Sequence, residues 1–152
     1  MVMMGSMQWA RSVGLSDGLR PNDFATREEV ITMLRGFDIL YRIAWAEARG
    51  EDEKGIVLVT NVIINRVNSP QFPNTIRDVI FQPNQFTPVI NGAFERATPD
   101  ERIRNAVHRA LRGEDYSPQG ALFFRAVRGA EGSWHERTLT RLFDHGGHRF
   151  YK

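Results

Sequence analysis

The spacing of apolar side chains along the chain predicts a mainly helical body followed by a short β region. Between about residues 37 and 66, leucine, isoleucine and valine recur three and four positions apart, which is the period of an amphipathic helix. Gly36, Gly50 and Gly113 each follow such a stretch and are predicted to end it. The predicted helices cover about residues 26–36, 37–49, 53–66, 75–81 and 98–112.

The last predicted helix opens with Thr98-Pro99-Asp100-Glu101, a capping box with proline at the first helical position. Beyond it the pattern changes to short runs with aromatic and β-branched residues. Ala121–Val127, Thr138–Phe143 and His148–Tyr151 are predicted to be three short strands of an antiparallel sheet. The fold class is therefore predicted to be α+β, with a helical body and a small C-terminal antiparallel sheet.

Residues 1–36 are predicted to be a separate segment ahead of a domain at 37–152. A turn-rich stretch, Arg20-Pro21-Asn22-Asp23, precedes a capping box at Thr26-Arg27-Glu28-Glu29. This order resembles the second half of an S-layer homology motif. Only about one such motif is present, so the segment is predicted to be a remnant of such a motif or a packing element. Wall binding by this segment is the alternative.

Composition and charge narrow the class of protein. A length of 152 residues is typical of one domain, here predicted at 37–152 after the segment 1–36. The absence of cysteine excludes disulfides. No apolar run is long enough to span a bilayer. Residues 1–12 lack the basic start and following apolar core of a signal peptide. The net charge of +2 and the pI of about 9.4 favour an anionic partner. A nucleic acid is not expected, because no basic stripe with interleaved aromatic residues appears.

Glu47 is the candidate for acid chemistry. Its neighbours Ile43, Ala44, Trp45 and Ala48 are apolar or small. A carboxyl group among them would lose part of its hydration, which raises its pKa and suits it to proton donation near neutral pH. The alternative is a solvated position on the polar edge of an amphipathic helix.

The residues around and after Glu47 form an ordered series of short motifs. They are Ala46-Glu47-Ala48-Arg49-Gly50-Glu51, Asn65-Arg66-Val67, Phe72-Pro73-Asn74-Thr75, Gln82-Pro83-Asn84-Gln85-Phe86 and His148-Arg149-Phe150-Tyr151. This order resembles the catalytic domain of SleB/CwlJ-type cell-wall hydrolases, the spore-cortex-lytic family, over about residues 39–152. The resemblance implies a lysozyme-like cleft between the helical body and the sheet.

The resemblance also implies a peptidoglycan lytic transglycosylase with Glu47 as its single catalytic residue. Such an enzyme cleaves the bond between N-acetylmuramic acid and N-acetylglucosamine and leaves a 1,6-anhydro end. One alternative is a hydrolase that uses a second carboxylate. The candidates for that second group are Glu51, Asp52, Glu53, Asp78 and Asp144. Another alternative is a non-catalytic wall-binding module.

Several polar and aromatic residues are candidates for binding the glycan. Gln85, Phe86 and Thr87 match the family's loop element, in which an amide, a ring and a hydroxyl suit a sugar; a turn with one buried ring is the alternative. Asn65 would donate to substrate or orient the acid, or else tie its helix to a loop. The C-terminal candidates for the cleft wall are Phe123, Phe124, Trp134 and Tyr151, each of which has a core position as its alternative. His148 is a further candidate at the cleft.

No metal and no cofactor are predicted. Asp144-His145-Gly146-Gly147-His148 has a His-x-x-His spacing, but its two glycines favour a loop, and hydrogen bonding or strand pairing is the expected role of His148. The expected partner is peptidoglycan in the bacterial wall or spore cortex, reached by export or by lysis. We expect a monomer without membrane insertion.

Overall fold

The structure, a computed structural model, describes residues 27–152, and its first helix, α1, runs from Arg27 to Ala48 without a break. The predicted stop at Gly36 is therefore wrong. A helical glycine costs only about 1 kcal/mol relative to alanine, and the apolar stripe continues past Gly36 to Leu40 and Ile43, both fully buried. The helix thus crosses the predicted boundary between 36 and 37. The capping box at Thr26 and the S-layer-like turn lie outside the described residues.

The second helix, α2, spans Glu53–Val67 and forms the centre of the body. Asp52 caps it by accepting a hydrogen bond from the Gly55 amide at 2.7 Å. Eleven of its fifteen residues are buried, so it is apolar on almost every side, as a central helix must be. This agrees with the helix predicted at 53–66.

Three further helices surround this centre: α3 at Ile76–Ile80, α4 at Thr87–Ile90 and α5 at Glu101–Leu111. The cap of α5 is Asp100, whose carboxylate accepts from the Ile103 amide at 2.9 Å. The predicted capping box at Thr98 is therefore wrong, because an aspartate two residues later supplies an equally good acceptor. Helix α4 begins inside the loop predicted at 82–88, where Pro88 occupies its first turn.

The C-terminal third forms a three-stranded antiparallel sheet in the order β1-β3-β2. The strands are β1 at Phe123–Ala126, β2 at Arg141–His145 and β3 at His148–Tyr151. A short helix, α6, occupies Trp134–Thr138. The second strand therefore starts three residues later than predicted, because the Ser133 hydroxyl caps α6 on the Glu136 amide at 3.4 Å.

The core lies between the helices and continues under the sheet. One cluster joins α1, α2, α3 and α5, and a second packs Phe150 of β3 on Leu58 and Val62 of α2. The predicted α+β fold class is confirmed by this arrangement. No helix within residues 27–152 is long and apolar enough to cross a membrane.

Candidate active site

Glu47 lies in the last turn of α1, where the helix end is held in place by α5. Arg102 donates hydrogen bonds to the carbonyl oxygens of Arg49 at 2.7 Å and Glu51 at 2.8 Å. Ala44 and Ala48, on either side of Glu47, are buried in the core. These contacts fix the position of the Glu47 side chain without placing a charge beside it.

The Glu47 carboxyl group is partly buried, and burial alone raises its pKa from 4.5 to about 7. Within the part of the chain that the structure describes, no side chain or amide donates a hydrogen bond to this carboxyl group and no cation pairs with it. Near neutral pH the group is therefore present both as acid and as carboxylate, which is the state that a proton donor and acceptor needs.

Glu47 opens into a cleft of about 590 Å³ between the helical body and the sheet. The cleft is lined by Glu47, Arg66, Asn84, Gln85, Phe86, Thr87, Phe123, Phe124, Arg125, Ala126, Trp134, His135 and His148. Glu47 is the only carboxylic acid among these described residues. The volume falls in the range of sites that hold small ligands.

Arg66 of α2 forms the floor of the cleft and is almost fully buried, at 4% exposure. Its guanidinium lies 4.9 to 5.3 Å from the ring centres of Phe72, Phe86 and Phe123. It donates to the Leu122 carbonyl oxygen at 2.7 Å and to Oε1 of Gln85 at 3.1 Å. Burial lowers its pKa to about 10, so it remains a cation at neutral pH.

The loop residues Gln85, Phe86 and Thr87 all line the cleft, but they differ in exposure. Gln85 and Thr87 are exposed, whereas Phe86 is 3% exposed and belongs to the helical core. Asn84 turns the chain with a φ of 61°, a left-handed conformation that asparagine tolerates. The loop therefore presents its amide and hydroxyl to the cleft while the ring anchors it.

The sheet supplies the opposite wall of the cleft. The His148 ring meets Phe124 edge-on at 5.1 Å, and burial lowers the pKa of His148, against the opposing effect of the Glu51 charge. Trp134 is 50% exposed and contacts Phe123 at 6.1 Å between ring centres. This wall thus offers both an accessible indole and an imidazole whose neutral form is favoured.

Two residues predicted to bind substrate do not line the cleft. Asn65 donates from Nδ2 to the Ala121 carbonyl oxygen at 3.0 Å and borders a separate depression, which corresponds to the alternative of an amide that ties its helix to a loop. Tyr151 is fully buried, and its hydroxyl donates to Glu136 at 2.8 Å. Both side chains are occupied by contacts within the fold.

The candidate second carboxylates also lie outside the cleft lining. Glu51 accepts from the Gly147 amide at 3.1 and 3.3 Å, in the turn between β2 and β3. A side chain at Gly146, whose φ is 53°, would overlap the Glu51 carboxylate, so the turn depends on glycine there. The other candidates pair with basic side chains or lie on the exposed surface. Asp52 pairs with His145, Glu53 with Arg109, and Asp144 with Arg149 and Arg141, whereas Asp78 is exposed on α3.

Sequence reasoning did not single out Arg125 and His135 of the cleft wall. Burial and the charges of Arg125 and Arg66 lower the pKa of His135, which favours its neutral form. The only sequence signal for Arg125 was its position inside an otherwise apolar strand, Phe123–Ala126. Among the described residues, no group of three histidine, cysteine, aspartate or glutamate side chains is arranged to hold a metal ion.

Comparison with known proteins identifies the family. The family model described as Cell Wall Hydrolase matches residues 50–151, starting three residues after Glu47. The spore cortex-lytic enzyme of Halalkalibacterium halodurans is 39% identical over 108 residues, which are 70% of this chain and 32% of that protein. The cell wall hydrolase CwlJ of Bacillus subtilis is 34% identical over 122 residues, which are 76% of this chain and 83% of that protein.

Solved structures show the same relationship. The catalytic domain of the germination-specific lytic transglycosylase SleB from Bacillus anthracis matches with a TM-score of 0.69 at 32% identity, covering 87% of this chain and 99% of that domain. The catalytic domain of the Bacillus cereus SleB protein gives the same score and identity. The chain belongs to the Cell Wall Hydrolase family, and its predicted SleB/CwlJ-type relationship is confirmed. It spans about a third of the length of the spore cortex-lytic enzyme from H. halodurans.

Proposed function

We propose that this domain cleaves the glycan strands of peptidoglycan as a lytic transglycosylase, with Glu47 as its single catalytic residue. The observation that carries this proposal is that Glu47 is the only carboxylic acid lining the described cleft, and that burial raises its pKa to about 7. A solved relative with 32% identity is itself described as a lytic transglycosylase. One acid is sufficient for that reaction, whereas hydrolysis by the usual route needs two.

In the first step, the protonated Glu47 donates its proton to the glycosidic oxygen between N-acetylmuramic acid and N-acetylglucosamine. The bond from the muramyl C1 to that oxygen breaks, and the leaving sugar departs with a new hydroxyl group. A carboxyl group with a pKa of about 7 is still partly protonated at neutral pH and is a stronger donor than water.

In the second step, the Glu47 carboxylate accepts the proton of the muramyl C6 hydroxyl while the C6 oxygen forms a bond to C1. The product is a 1,6-anhydromuramyl end, and Glu47 recovers its proton. No water is consumed, so the site needs no second carboxylate to activate one. The described lining of the cleft contains no carboxylate other than Glu47.

Substrate binding is proposed for the accessible residues of the lining. The exposed Gln85 amide and Thr87 hydroxyl suit the acetamido and hydroxyl groups of the sugars, and the half-exposed Trp134 ring suits an apolar sugar face. Phe123 and His148 complete the wall. Phe86 contributes by packing rather than by exposed contact, because its ring is buried.

The test is product analysis. The purified domain is incubated with peptidoglycan, and the released fragments are separated and identified by mass spectrometry, beside the Glu47→Gln variant. We expect 1,6-anhydromuramyl ends from the wild type and none from the variant. Reducing muramyl ends would indicate a hydrolase instead. The absence of any cleavage would favour a wall-binding module.

We further propose that the site of action is the bacterial wall or the spore cortex. The relatives are named spore cortex-lytic enzyme and cell wall hydrolase, which supports both substrates. Parallel assays on intact spores, isolated cortex and vegetative walls separate the two. Release of fragments from only one of these materials identifies the substrate.

A further inference from the structure

Arg125 and Arg149 are cross-strand partners in the sheet, but only Arg149 forms ion pairs with described residues. The two residues face each other in the register of β1 and β3, so their side chains share one face of the sheet. Arg149 pairs with Asp144 and with Glu136, each at 2.8 Å. Both acids beside this pair are thus bound to Arg149.

Arg125, by contrast, has no acidic partner among the described residues. No carboxylate lies within ion-pair distance of its guanidinium, and its Nε is buried without a hydrogen-bond partner. A buried donor that stays unpaired is unfavourable by about 1–3 kcal/mol, so native structures seldom keep one without a role. The side chain lines the cleft.

A neighbour of Arg125 also has a buried nitrogen without a hydrogen-bond partner. His135 Nδ1 is also buried without a hydrogen-bond partner, and the ring lies close enough to Arg125 to feel its charge. The His135 ring also meets the Trp134 ring edge-on, at 5.2 Å between ring centres. An unpaired cation thus lies in one wall with an accessible indole.

The charge of the whole lining points in the same direction. Arg66 is bound by two neutral acceptors, the Leu122 carbonyl and the Gln85 amide, and Glu47 is the only acid present. The cleft therefore has an excess of positive charge, which attracts an anionic ligand. Arginine binds carboxylates through paired N–H donors.

We infer that Arg125, in the same cleft lining as the Trp134 ring, forms a subsite that binds a carboxylate of the glycan strand. This inference rests on the proposed function. In peptidoglycan that carboxylate belongs either to the stem peptide or, where the peptide has been removed, to the lactyl group of muramic acid. Arg125 is then a binding residue that selects charged strands over neutral ones.

The experiment compares four glycan substrates: strands that carry stem peptides, strands whose peptides an amidase has removed, and both kinds after carbodiimide-mediated amidation of their carboxylates. We measure kcat/KM from the release of anhydro ends for wild type, Arg125→Gln and Arg125→Lys. The control, Arg112→Gln, removes the same charge from an exposed position outside the cleft lining. Thermal melts establish that each variant is folded.

We expect Arg125→Gln to lower kcat/KM about ten- to a hundredfold on charged strands, the effect of losing a hydrogen-bonded charged contact. The amidated strands should show little change, and Arg125→Lys should retain part of the preference. Loss on peptide-bearing strands only assigns the stem peptide, and loss on peptide-free strands only assigns the lactyl group. Loss on both means that either carboxylate is accepted.

The same loss on charged and amidated strands, or no loss on any, would overturn the inference while the proposed function stands. If Arg125→Gln does not fold, the test uses the wild type alone. Amidation of the strands should then lower the wild-type kcat/KM by the factor expected for Arg125→Gln on charged strands. Equal wild-type rates on charged and amidated strands would then overturn it. If wild type forms no anhydro ends on any strand, the proposed function fails and the carboxylate subsite falls with it.

Discussion

Arg66 donates a hydrogen bond from Nη1 to Oε1 of Gln85 over 3.1 Å. An arginine side chain has only donors, so the carbonyl oxygen of the Gln85 amide must be the atom that faces it. The amide nitrogen of Gln85, with two N–H groups, is thereby turned away from Arg66. Because Gln85 is exposed in the cleft, this nitrogen can donate to an acceptor of the substrate such as an acetamido oxygen.

Gln85→Glu tests this orientation. The carboxylate keeps the contact with Arg66 and gains an ion pair, so we expect an unchanged or higher melting temperature. It cannot donate, so kcat/KM should fall about two- to tenfold, the effect of one lost hydrogen bond. Gln71→Glu makes the same change at an exposed loop position outside the cleft lining and is the control. Unchanged turnover by Gln85→Glu would show that the amide is not a donor to substrate.

Glu47→Gln should abolish most of the activity. The amide is nearly the same size as the carboxyl group but carries no transferable proton, so we expect turnover to fall about 10²–10⁴-fold. The measurement is the clearance of a turbid wall suspension, with the circular dichroism spectrum as the check on folding. Near-normal clearance would mean that another residue supplies the proton.

Glu47→Gln should also stabilise the fold, and the gain should depend on pH. The pKa of Glu47 is about 7 in the folded protein and 4.5 as its ordinary value, so the folded state holds this proton more tightly than the unfolded state. The contribution of Glu47 to stability is therefore fully present below about pH 4.5 and is lost as the pH rises towards 7. Glutamine has no such loss.

The variant should therefore match the wild type near pH 4.5 and exceed it by about 1–3 kcal/mol above pH 7, after an allowance for solvent screening. Urea unfolding at both pH values measures this difference. Glu95→Gln, at an exposed position outside the cleft lining, is the control. A gain of the same size at both pH values would contradict the assigned cause, which is burial of the charged form.

The helical body could be predicted largely from periodicity, because its apolar positions repeat over long stretches. The errors fell where a local signal competed with packing. Gly36 was predicted to end a helix, but the buried stripe that continues to Leu40 outweighs the cost of one glycine. The start of β2 was misplaced because a serine cap nucleates the five-residue α6, which is too short to show a period.

The site could be predicted only where a motif or a local environment marked a residue. Glu47 was identified by its apolar neighbours and Gln85 by its loop motif, and both line the cleft. Asn65 and Arg66 are adjacent on α2, about 100° apart around the helix axis, and sequence alone could not tell which one faces the cleft. Arg125 could not be identified because its unpaired charge is a property of the folded neighbourhood.

Glu51→Gln distinguishes a structural acid from a catalytic one. Glu51 accepts from the Gly147 amide and lies 3.8 Å from Nδ1 of His148, so we expect a loss of about 1 kcal/mol from the weakened hydrogen bond. Activity should change modestly, and the products should keep their anhydro ends. A loss of activity as large as that of Glu47→Gln, together with reducing ends from the wild type, would instead identify a two-acid hydrolase.

Phe86→Ala and Trp134→Ala form a matched pair that separates packing from binding within one cleft. Phe86 is 3% exposed and packs in the helical core, so its truncation should lower the free energy of unfolding by about 3–5 kcal/mol. Trp134 is 50% exposed, so its truncation should leave the melting temperature nearly unchanged while it raises KM, because the sugar loses its stacking surface. Chemical denaturation and KM measured on both variants decide the roles. A stable Phe86→Ala with a raised KM would make Phe86 a binding residue, and a Trp134→Ala that melts early with an unchanged KM would make Trp134 a structural one.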